Sequence, residues 1–90
     1  MNQLIITVHD KVAGTWSTPS VAHNAESAKR DFFTACNNKG SLIASHPADF
    51  ELWAIGEWSV PYDETKVPTL SSFQNFKFLA AGAAKEDVNG

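Results

Sequence analysis

Apolar and polar positions alternate from the start of the chain. Leu4, Ile6 and Val8 interleave with Ile5, Thr7 and His9. This two-residue period in β-branched residues predicts a strand with both faces at least partly covered. Asp10-Lys11-Val12-Ala13-Gly14 follows, with an Asp to bond nearby backbone and a Gly to take positive φ. A tight connection there should return the chain as a second strand over Thr15 to Val21. Pro19 lacks an amide donor, which places that strand at a sheet edge.

The period then changes. Ala25, Ala28, Phe32, Ala35 and Cys36 recur at helical spacing behind Asn24, a good N-cap, and Glu26 sits in the first turn where the helix dipole favours negative charge. One amphipathic helix is expected over about residues 25–38, with Lys29, Arg30 and Asn37 on its polar face and Gly40 closing it. Pro47 should hold His46 out of the helical region and fix a turn. Glu51 to Val60 then reads as the strongest strand. Phe50, Leu52, Ala54 and Trp58 are expected on one side and Trp53 and Ile55 on the other, with Glu51 and Glu57 projecting together as a solvated face. Gly56 marks a bulge or a close backbone approach. A loop through Pro61 and Tyr62 leads to a short run, Lys66 to Leu70, and a last extended segment contains Phe76, Phe78 and Leu79. The expected fold class is α+β: a small antiparallel sheet in β-β-α-β-β order with one amphipathic helix packed on one face. Residues 1–81 should form a single domain and residues 82–90 a flexible tail.

Composition sharpens this picture in two ways. The hydrophobic fraction of 43%, with three Trp, one Tyr and six Phe, provides for a folded core without metal or disulfide. Rings of about 150–250 Å² each are hard to cover in so small a domain, so a homodimer that buries the surplus is expected. Seven basic against ten acidic side chains give a net charge of −3, the opposite of the footprint of a sequence-independent nucleic-acid binder. The lone Cys36, the lack of a basic leader and the shortness of every apolar run lead us to expect a soluble protein of a reducing cytoplasm, away from membranes.

The search for chemistry leaves a surface rather than a reaction centre. His9, His23, His46 and Cys36 show no paired metal-ligand spacing, and His9 and Asp10 are adjacent on a strand and so point to opposite faces. Cys36 lies on the apolar helix face, where a thiol acts as a small hydrophobe. The five glycines are isolated and form no phosphate-cradling loop. No catalytic residues, metal or cofactor are therefore expected. Trp16, Trp53 and Trp58 lie on strands, and a sheet that presents aromatics can stack unpaired bases. Lys11, Lys29 and Arg30, joined by Lys39 and Lys77, are the cations that could border them. The competing reading makes the rings part of the core or of a dimer seam.

The order of residues carries a resemblance. Val8-His9-Asp10-Lys11-Val12-Ala13-Gly14, then Pro19, the helix entry at Asn24 and Phe32 are followed by His46-Pro47-Ala48-Asp49-Phe50-Glu51-Leu52 and Ile55-Gly56-Glu57-Trp58. This series resembles the small nonstructural protein of gokushoviruses, tailless single-stranded DNA phages of the microvirus group. The likeness spans about residues 4–59, with a looser echo at Asn75-Phe76-Lys77-Phe78-Leu79. His9 stands where the family has Tyr, and the loop from Ser59 to Ser72 is longer than the family's Asp-rich turn. The resemblance implies a nonstructural phage protein of the host cytoplasm, DNA-binding or acting in the switch from duplex replication to single-strand synthesis and packaging. Its partners would be the phage replication initiator, a host replication enzyme or single-stranded DNA. The alternative is a dimeric interaction module that contacts a capsid precursor or host protein and never touches DNA.

Overall fold

The computed structural model describes residues 2–83. The elements follow in the order β1 (Asn2–Asp10), β2 (Thr15–Trp16), β3 (Ser20–Ala22), α1 (Ala25–Cys36), α2 (Leu42–Ser45), a 3-10 turn at Pro47–Asp49, β4 (Phe50–Ser59) and β5 (Thr69–Ala81). The fold is a mixed α/β arrangement in which strands dominate, and every strand pairing is antiparallel. It departs from the expected β-β-α-β-β order in two places, a divided second strand and an extra short helix.

β1 is central. β4 flanks it along its whole length, from Asn2 opposite Ser59 to Asp10 opposite Phe50, and β5 continues the sheet beyond β4. β2 and β3 lie end to end on the other side of β1, paired with His9–Asp10 and Leu4–Ile6. The expected continuous strand from Thr15 to Val21 is interrupted because side chains take over the ladder at Ser17. The Ser17 hydroxyl accepts the Val8 amide at 2.9 Å, and the buried Thr7 hydroxyl donates to the Ser17 carbonyl at 2.8 Å. Pro19, which has no amide to give, follows directly. The β1–β2 connection is built as its residues suggest: Asp10 Oδ1 accepts the amides of Val12 and Ala13, each at 3.0 Å, and Gly14 sits at φ 71°.

The helix α1 packs on one face of the sheet. Asn24 caps it by accepting the Ser27 amide at 2.8 Å, and Ala28, Phe32 and Cys36, spaced by four, are its buried residues. They join Phe50, Leu52 and Ala80 in the core, with Ile6, Val8, Ala22, Ile43 and Leu79 packed around it. The helix stops at Cys36, short of the expected 38, and without the left-handed glycine foreseen at Gly40, since Gly14 is the positive-φ glycine here. Asn37 closes the end instead, its side-chain amide donating to the Phe33 carbonyl at 2.8 Å. Ser41 then caps α2 by accepting the Ile43 amide at 3.1 Å, and His46 stands outside both short helical segments at φ −146°.

β4 carries the main irregularity. Ile5 pairs with Gly56 and Ile6 with Ala54, so Ile55 has no partner on β1. Gly56 combines both expected features, a bulge and a close approach: a Cβ there would collide with the Ser71 carbonyl oxygen of β5. The bulge also changes the phase of alternation. Trp58 pairs with Gln3 and Trp53 with Thr7, both odd positions of β1, so the two rings share the face away from α1. Trp58 is therefore not beside Leu52 and Ala54 as the uninterrupted alternation implied. Glu57, opposite Leu4, and Glu51, opposite His9, fall on opposite faces rather than together. Gly82, just past β5, is buried and its amide donates to the Phe50 carbonyl at 2.8 Å. The rest of the expected tail, residues 84–90, lies outside the described residues.

Candidate functional site: an aromatic sheet face

The face of the sheet opposite α1 is lined with rings. Trp16 enters from β2 opposite His9, Trp53 from β4 opposite Thr7, and Phe78 from β5 opposite Trp53. His9 stacks on Trp16 with ring centroids 4.1 Å apart and planes 17° from parallel. Trp16 meets Trp53 edge-to-face at 6.0 Å, and Trp53 meets Phe78 in the same manner at 5.4 Å. Phe76 completes the ridge, 5.9 Å from Trp16. Two strands separate β2 from β5, a span of roughly 14 Å across a flat sheet. Contact between their rings requires the sheet to curl, with this face on the inside. The segment before Lys77 helps, because four β5 residues, Phe73 to Phe76, correspond to the single Ile55 of β4.

These rings are not sealed. Trp16 is 46% exposed, Phe76 46% and Phe78 50%, whereas Leu52 on the helix side is 1% exposed. A core ring of this size would be covered, so the ridge is a surface.

Its electrostatics centre on Glu51. Oε1 accepts from Trp53 Nε1 at 3.3 Å and lies 3.8 Å from His9 Nδ1, and Oε2 lies 3.9 Å from Lys11 Nζ. The carboxylate read from sequence as solvated is thus the polar centre of the ridge.

The six candidate residues separate into three groups. Trp16, Trp53 and Lys11 come together on the ridge. Trp58 shares the face but lies farther along it, in an apolar hollow of about 350 Å³ with Ile5, Pro19, Val21, Ile55 and Leu70. Lys29 and Arg30 are on α1, across the sheet. Lys29 pairs with Glu26 at 3.7 Å, and Arg30 borders a shallow surface depression with Phe33 and Thr34. The structure supplies three ridge members that sequence reasoning did not select: His9, Phe76 and Phe78. The alternation of Phe76 and Phe78 was visible, but their place beside Trp16 and Trp53 depends on a β4–β5 register containing two irregularities.

Among the described residues, no group of three or more His, Cys, Asp or Glu is arranged to hold a metal ion. No helix among them is long and apolar enough to cross a membrane. No curated protein and no solved structure matches the chain. A family model does: that of the phage ORF5 protein matches residues 3–67, from β1 through β4 and into the loop before β5. The match covers well over half of the chain and includes Lys11, Trp16, Glu51 and Trp53, and the protein belongs to the phage ORF5 protein family.

Proposed function

We propose that this phage protein is a non-enzymatic accessory factor of single-stranded DNA phages of the gokushovirus type. It acts in the host cytoplasm during genome replication or the switch to packaging, and its aromatic ridge is the contact surface. The observation that carries this reading is the set Trp16, Trp53, Phe76 and Phe78 on one open, inward-curled sheet face. Exposed rings on a sheet are suited to stacking the unpaired bases of a single strand, roughly 1–3 kcal/mol per base, without reading sequence. Support for the phage setting comes from the family match and from the His46-Pro47-Ala48-Asp49-Phe50 segment within it. The net charge of −3 keeps such binding weak and only shallowly salt-dependent, because few phosphate counterions can be released.

The test is titration with a short oligothymidylate at low salt, read by tryptophan fluorescence. Quenching is expected, and Trp16→Ala should weaken binding about tenfold through loss of one stacking ring. A flat curve at low salt overturns the DNA reading.

A second reading is favoured by the acidic charge and by other exposed apolar side chains, among them Tyr62 at 93%, Val67 at 76% and Leu70 at 69%. In it the protein works as a homodimer or interaction module, with a capsid precursor, the replication initiator or a host replication protein as partner and no contact to DNA.

A further inference from the structure

The ridge is an unusual place for a carboxylate if its ligand is a polyanion. Glu51 sits among the rings with its side chain 20% exposed, held by Trp53 Nε1 and facing His9. Its second oxygen lies 3.9 Å from Lys11 Nζ. Of the cations Lys11, Lys29 and Arg30, Lys11 is the one bordering the ridge, and the fold has already given it a counterion. A phosphate brought to Lys11 would also come within a few ångströms of Glu51 and be repelled.

We propose that Glu51 is the specificity-determining residue of this surface: it withholds Lys11 from phosphate, so that the ridge takes bases through their faces while the sugar-phosphate backbone stays in solvent. The inference rests on the base-stacking reading above. It explains how a protein of this charge can use single-stranded DNA transiently, gripping rings without neutralising the chain. The Lys11–Glu51 pair has its counterpart in counterion release: a lysine neutralised within the protein frees no ion when DNA arrives, whereas an unpaired one does.

The experiment compares the wild-type chain with Glu51→Gln, whose amide oxygen can still accept from Trp53, and with the uncharged Glu51→Met as a second variant. Lys11→Ala is made in the wild-type and Glu51→Gln backgrounds. Binding to oligothymidylate is measured across a salt series, with circular dichroism confirming that each variant is folded. Both Glu51 variants should bind more tightly, with a log-log salt slope steeper by about 0.7, the value for one further phosphate contact on a single strand. Across a tenfold fall in salt the variant then gains about fivefold more than wild type. Lys11→Ala should abolish the gain in Glu51→Gln and leave the wild-type salt slope unchanged, because the paired lysine contacts no phosphate. Wild-type binding with an unchanged or weaker Glu51→Gln overturns this inference and leaves the stacking reading standing. Absence of binding in every variant overturns both.

Discussion

Gly56 shows how one position can set the chemistry of a whole face. With no side chain it lets the Ser71 carbonyl of β5 close onto β4, and beside it Ile55 drops out of register with β1. Gly56→Ala should therefore destabilise the fold by about 1–3 kcal/mol, because a backbone atom rather than a flexible side chain must move. Chemical denaturation measures this, and a midpoint equal to wild type would contradict the close approach. A bulge or near contact at this glycine was legible from its place in an apolar strand. Its effect on Trp58 was not, since alternation predicts faces only while the period stays unbroken. Glu51 was misread for a related reason. On the strand alone it is an acidic residue between apolar ones, and its ties to His9, Lys11 and Trp53 exist only once β1 lies alongside.

At the level of elements, the local chemistry and the tertiary packing can be separated. The hairpin turn, the Asn24 cap and the apolar stripe of α1 follow from short-range rules and stand in the structure where those rules put them. Long-range choices account for the differences. Ser17 divides the second strand by substituting its hydroxyl for a backbone partner, and α2 is a four-residue turn too short to leave a period. Two substitutions measure the relative weights. Asn24→Ala removes the acceptor of one helix amide and should cost about 1 kcal/mol. Leu52→Ala opens the centre of the core between α1 and the sheet and should cost about 2–5 kcal/mol, a large share of the stability of a domain this size. Equal losses in denaturant midpoint would contradict a core centred on Leu52.

On the scale of the molecule, the two sheet edges are unlike. The β2–β3 side is broken into pieces of two and three residues and contains Pro19 between them, which discourages pairing with another chain. The β5 side runs for thirteen residues from Thr69 to Ala81 with Lys77 as its one charge and no proline. Under the interaction-module reading, two protomers join through this edge, and light scattering should give a mass that rises toward twice the 9.8 kDa of the chain as concentration increases. A constant mass of one chain at about millimolar concentration would remove that arrangement. The Ile55 irregularity has a last consequence, for how this sequence can change over evolutionary time. Insertions and deletions are ordinarily absorbed by loops, but loss of the single codon for Ile55 would leave Ala54 opposite Ile6 and Gly56 opposite Ile5 in an unbroken ladder. Trp58 would keep the face it shares with Trp53 and Glu57 the opposite one, so this strand can lose a residue there without exchanging its two surfaces.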